Sequence, residues 1–229
     1  MLSRAIDQTL LESYSQDIPV FLKKIYASRG LAESQLSLTL SDLLRPNFSE
    51  LGKALSLLEQ ALIEQKRILI IGDFDADGAT ASVVAMKSLR MMGAKQVDFL
   101  VPNRFEHGYG LSPEIVNLAI KEKQPDLIIT VDNGISSFDG TDLAKGAGIN
   151  VIITDHHLPS DLLPKADAII NPNLKDCDFP SKNLAGVGVC FYLFSSLKSY
   201  LQKKDYFSIN NIPLPDLRQV LDLVALGTV

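Results

Sequence analysis

The chain has 229 residues, 46% of them hydrophobic, enough to bury a substantial core in one large α/β domain with an appendage or in two small domains. No run approaches the ~18 apolar residues of a membrane span, and the N-terminal MLSRAIDQTLLESY lacks a signal-peptide core, so the chain reads as soluble and cytoplasmic, with no membrane partner. The formal net charge of −5 argues mildly against a nucleic-acid surface, although carboxylates gathered around divalent cations would distort that count.

Residues 1–66 read as a helical N-terminal segment. Apolar residues recur at three- and four-residue spacing over 18–26 and 51–63, and Arg45-Pro46-Asn47 marks a break. At Arg67 the pattern changes. Short, nearly all-apolar runs at 67–72, 97–101, 126–131, 150–154 and 167–170 alternate with helical patterns at 79–92, 113–123 and 141–147. Such strands are covered on both sides, so the expected fold is α/β: a mostly parallel five-stranded sheet with helices on both faces. Further helices are expected over 187–201 and 217–226, after a loop marked by Pro213 and Pro215. Cys177 and Cys190 lack a metal-binding spacing and read as two unpaired, partly buried thiols.

Ligands of an open parallel sheet bind outside the carboxyl ends of its strands. Three unusual clusters fall there: Asp73-Phe74-Asp75-Ala76-Asp77-Gly78, Asp132-Asn133-Gly134 and Asp155-His156-His157. Several carboxylates with imidazole suit a two-cation hydrolytic site, in which ions about 3.5–4 Å apart polarise a phosphoryl oxygen and activate water. Mixed oxygen and nitrogen donors favour Mn2+ over Mg2+, with Zn2+ as a competitor. Two rival chemistries fit less well. A calcium-binding EF-hand loop also begins D-x-D-x-D-G, but needs a preceding helix and a Glu where this chain has Val84. An aspartyl-phosphate phosphatase wants Thr or Val where Asp77 stands and leaves the histidine pair unexplained. The plain alternative is a set of N-caps and turn residues, which explains one cluster better than three.

GDFDADG at 72–78, VDNG at 131–134 and DHH at 155–157 resemble the first three motifs of the DHH phosphoesterase superfamily. VPNRFEHGYGL at 101–111, INPN at 170–173, LAGVGV at 184–189 and ALGTV at 225–229 are similar to the RecJ-type exonucleases, which degrade single-stranded DNA from the 5′ end. The resemblance implies a DHH-type metal-binding catalytic domain over 67–229. Asp75, Asp77, Asp132 and His156 would ligate the cations, with Asp77 and Asp132 near both. His157 would face the scissile phosphate, making His157, Asp132 and Asp77 the implied catalytic set. Asp73 is left open between a ligand and an outer acceptor, and Asp155 is read as orienting a histidine. The implied reaction is in-line attack of activated water, releasing 5′-mononucleotides. Implied partners are single-stranded DNA, the C-terminal domains of a full-length enzyme, and a single-strand-binding protein or helicase, in DNA repair and recombination.

One departure stands out. The family's fourth motif runs Gly-Thr-x-Ala-Asp, and this chain reads Gly227-Thr228-Val229. The expectation is therefore an N-terminal piece that keeps most of the metal site and is weak or inactive alone. Arg104 and Asn103 could bind a backbone phosphate, or form an ordinary solvated loop. His107 reads as a loop histidine. Gly186 and Gly188 could present N–H groups to an anion, or serve tight helix packing. Two further functions stay open: hydrolysis of a small phosphate compound (pyrophosphate, a nanoRNA or a cyclic dinucleotide), and a non-catalytic, metal-stabilised partner-binding domain.

Overall fold

The structure, a computed structural model, describes residues 5–36, 43–103 and 108–229. The chain divides into two compact units, Met1–Arg45 and Pro46–Val229, at the break that Pro46 marks in the sequence. In the smaller unit, α1 (Gln8–Ser13) is capped by the Asp7 carboxylate, which accepts the Leu10 N–H at 3.1 Å. The helix α2 (Val20–Ser28) follows Pro19, and a single 3-10 turn spans Glu33–Gln35. Tyr14 is buried here and its hydroxyl donates to the Leu31 carbonyl.

The larger unit opens with α3 (Leu51–Ile63) and is built on five parallel strands: β1 (Ile68–Gly72), β2 (Val97–Leu100), β3 (Leu127–Val131), β4 (Asn150–Thr154) and β5 (Ala168–Ile170). All five expected runs form strands, in the order β2-β1-β3-β4-β5. The register pairs Ile70 with Phe99 on one side and with Ile129 on the other. Ile68 to Ile71 are all at most 2% exposed, as strands covered on both faces should be.

The connections set the two faces. From β1 the chain runs through α4 (Ala76–Met91) to β2. It then reverses through α5 (Pro113–Glu122) to β3, and continues through α6 (Phe138–Gly146) to β4. Right-handed crossovers taken in opposite directions put α4 on one face and α5 with α6 on the other. On the α4 side lie α7 (Gly186–Gln202), which packs on α3 and α4, and α9 (Leu221–Thr228), which packs on α4 and α7. Between them come α8 (Tyr206–Ile209) and a 3-10 turn, Leu217–Val220. Arg67 fastens the entry of β1 to that of β3, with its Nε and a guanidinium nitrogen on the Asp126 carboxylate at 3.2 and 3.1 Å. Both cysteines are free and buried, and burial pushes the Cys190 thiol up, which leaves it inert. No helix among the described residues is long and apolar enough to cross a membrane.

Candidate metal centre

The strand order reverses at β1 and β3, which opens a crevice at their carboxyl ends. The three acidic clusters converge there. The structure starts α4 at Ala76, three residues earlier than the hydrophobic spacing suggests, because Asp75 caps it: its Oδ1 accepts the Gly78 N–H at 2.9 Å. Gly78 is required, since a Cβ there would lie 2.6 Å from the Asp73 backbone. Asp73 turns back on its own loop, accepting the Phe74 N–H at 2.8 Å.

Asp132 follows β3 with φ at +62°, a left-handed conformation that turns its carboxylate into the crevice side of the sheet. It is 2% exposed. Burial pushes its carboxyl up to about 6, Asp77 and Asp75 add to the shift, and His156 opposes it. Its buried Oδ1 has no aligned hydrogen-bond donor, and His156 Nε2 lies 3.1 Å from it. A buried carboxylate oxygen with no well-aligned donor, beside an imidazole nitrogen, suits a cation.

Asp155, 1% exposed, is consumed by hydrogen bonds. Its Oδ2 accepts the Ile135 N–H at 2.9 Å, and its Oδ1 accepts the backbone N–H groups of His156 and His157 at 2.7 and 3.0 Å. His157 Nδ1 lies 2.7 Å from the same oxygen. Burial raises the Asp155 carboxyl, but these bonds outweigh it and the pKa ends below the ordinary value. The same pairing pushes His157 up to about 9, which favours the charged form of its ring.

Asp77 has a different environment. Its two oxygens accept the Gly186 and Val187 N–H groups at 2.7 and 2.6 Å, at the start of α7, which has no side-chain cap of its own. His156 Nε2 is 3.9 Å away. Of the glycines expected to offer N–H groups to an anion, Gly186 therefore donates to Asp77, and a Cβ on it would meet Asp132 Oδ1 at 2.4 Å. Gly188 lies against Leu184, 2.6 Å from where its own Cβ would be. Asn103 is exposed after β2; Arg104 and His107 lie outside the described residues.

Among the described residues, two groups place their ligand atoms within 4.8 Å of one another and could hold a metal ion: Asp132 with His156 and His157, and Asp73 with Asp75 and Asp132. The two groups share Asp132. Sequence reasoning did not assign roles to Asn133, whose Nδ2 donates to the Ile71 and Val131 carbonyls at 3.0 and 2.9 Å and so ties β1 to β3 under the site. It also missed the rim, where exposed Phe74 and Tyr109 meet edge to face with ring centres 6.3 Å apart. The only signal was two aromatics in loops that the topology brings together. A cavity of about 460 Å³ at the other end of the strands, lined by Arg67, Arg90, Lys95 and Lys123, has none of this ligand chemistry.

Residues 67–228 match the family model described as the DHH family, N-terminal domain. The single-stranded-DNA-specific exonuclease RecJ of Escherichia coli strain K12 is 50% identical over 228 residues, which span 99% of this chain and 39% of that protein. A crystal structure of exonuclease RecJ bound to manganese superposes with a TM-score of 0.66 at 35% identity, covering 79% of this chain and 43% of that one. RecJ from Thermus thermophilus in complex with Mn2+ gives 0.68 at 28% identity, covering 100% and 31%. The chain thus spans well under half the length of the relatives it matches.

Proposed function

The chain belongs to the DHH family, and from that premise we propose that it forms the metal-dependent catalytic domain of a 5′→3′ single-stranded-DNA exonuclease that releases 5′-mononucleotides. The observation that carries the reading is the convergence of Asp73, Asp75, Asp132, His156 and His157 at one switch point, with ligand atoms within 4.8 Å in each group. Asp75, Asp132 and His156 hold the cations. Asp77 joins them through the lone pairs its two N–H partners leave free. Mn2+ is the proposed ion and Mg2+ the alternative, because the donors mix oxygen and nitrogen.

Bound divalent ions supply Lewis acidity toward a phosphoryl oxygen and lower the pKa of water. The chain's own groups do the rest. His157, held charged by Asp155, donates from Nε2 to the scissile phosphate as negative charge develops there. Asp155 itself stays hydrogen-bonded and fixes the ring. Phe74 and Tyr109 offer exposed π-faces for the bases next to the cut, and Asn103, with Arg104 next to it in sequence, is the proposed contact to a backbone phosphate. The reading places the protein in the cytoplasm, in DNA repair and recombination, beside proteins that unwind or coat single strands.

The test uses a 5′-phosphorylated oligonucleotide in Mn2+, with this chain and with a chimera joining it to the C-terminal part of the E. coli relative. The chimera should release mononucleotides from the 5′ end, and Asp132→Ala should abolish the release. This chain alone should be weak, because a net charge of −5 grips a polyanion poorly. Turnover of pyrophosphate, a nanoRNA or a cyclic dinucleotide in place of the oligonucleotide would overturn the proposal.

A further inference from the structure

We infer that Asn171 and Asn173 are positioning residues that clamp the His156-His157 backbone and thereby aim both imidazoles; the inference rests on the metal-site reading above. After β4 the chain leaves the sheet, and residues 155–157 belong to no helix or strand. Backbone polar groups in such a segment must find partners elsewhere. Both N–H groups of the histidine pair donate to Asp155 Oδ1, at 2.7 and 3.0 Å. Both carbonyls are taken from the opposite side: His157 C=O accepts Asn171 Nδ2 at 2.9 Å and His156 C=O accepts Asn173 Nδ2 at 2.6 Å. All four groups are thus held by side chains, two donors matched to one carboxylate and two acceptors to two amides.

The clamp is itself anchored. Asn171 is fully buried at the end of β5, and its Oδ1 accepts the Asn173 N–H at 2.8 Å, closing a turn across Pro172. Lys182 Nζ donates to the Pro172 and Cys177 carbonyls at 2.5 and 2.9 Å, which holds that turn to the following loop. Asp155 is anchored in turn on Ile135, in the loop after β3. The two imidazoles therefore stand on a peptide segment fixed from both sides before any cation arrives. The ordering entropy is lost on folding, and binding does not have to meet it again. An asparagine suits this place because its amide supplies an uncharged donor to a carbonyl; an aspartate of the same shape would face that carbonyl with a second acceptor.

The experiment compares the 229-residue chain with Asn173→Asp and Asn171→Ser. Calorimetric titration with Mn2+ should show affinity about 10- to 100-fold weaker in both variants. In metal-free protein, amide hydrogen exchange at His156 and His157 should quicken at least about tenfold, because local opening becomes easier. A merely structural role would instead lower the melting temperature and leave the affinity of the folded protein unchanged. Wild-type affinity together with wild-type exchange in Asn173→Asp would overturn the inference. Should Asn171→Ser fail to fold, Asn173→Asp, at the less buried position, decides alone. If the unsubstituted chain binds no Mn2+, the metal-site reading falls, and the exchange measurement still decides whether the asparagines hold the histidine backbone.

Discussion

At Asp132 the carboxyl sits well above its ordinary value, at about 6 against 3.8, chiefly because it is buried. A carboxyl raised on folding leaves stability intact below its unfolded pKa and removes it as pH rises through the folded one. In chelator, the metal-free chain should therefore lose about 2–3 kcal/mol between pH 4 and pH 7 at this site. Asp132→Asn should recover about 1–3 kcal/mol at pH 7 and almost nothing at pH 4, as denaturant melts at the two pH values would read. The same substitution should abolish the stabilisation that Mn2+ gives the parent chain. Equal gains at both pH values would show that the buried charge is not the cause. His157 offers a second check. Asp155→Asn should return its titration from about 9 toward 6.5, followed through the ring protons by NMR.

The N-terminus of α7 depends on a residue from a different element. A helix start leaves its first N–H groups without partners, and Asp77 takes two of them, 109 and 110 residues away in sequence. The helix dipole favours a carboxylate at that end as well. Asp77→Ala should destabilise metal-free protein by about 2–3 kcal/mol, measured in urea with the slope unchanged. That sign is opposite to the one expected for Asp132→Asn, so the two aspartates separate by stability alone. Gly186→Ala should also weaken Mn2+ binding, since its Cβ would lie 2.4 Å from Asp132 Oδ1. The local pattern made Asp77 visible as one of three alternating acids. It could not show α7, because the spacing of the D-x-D-x-D run says nothing about which helix start will fold against it.

For the whole molecule, the sheet order places β1 beside β3 and β3 beside β4, so three loops whose aspartates, Asp73, Asp132 and Asp155, are 23 to 82 residues apart in sequence meet at one edge. A ligand that binds only the folded site stabilises the fold by mass action. Mn2+ at 100 times its dissociation constant should add about 2.7 kcal/mol, or about 5–10 °C in melting temperature for a unit of this size. Differential scanning calorimetry with and without Mn2+ checks it, and an unchanged melting temperature would mean that the cluster binds no ion. The smaller unit, Met1–Arg45, carries none of these ligand atoms among its described residues.

The five strands, their parallel arrangement and the edge on which the acids would gather were legible in the sequence, because apolar runs of strand length separated by helical spacing leave few other topologies. The short helices α1 and α8 were not, since six and four residues carry too little periodicity to read. DHH also announced two imidazoles at a strand end. What only the tertiary structure decided is which hydrogen-bond donors each carboxylate meets. Asp132 keeps a buried oxygen without an aligned donor, Asp155 is taken up by Ile135 and the two histidines, and Asp77 meets one N–H of the α7 start on each oxygen and keeps further lone pairs. The reason is physical: a carboxylate's role follows from the donors that reach it, and several of them, Ile135 on Asp155 and Gly186 and Val187 on Asp77, arrive on segments distant in sequence.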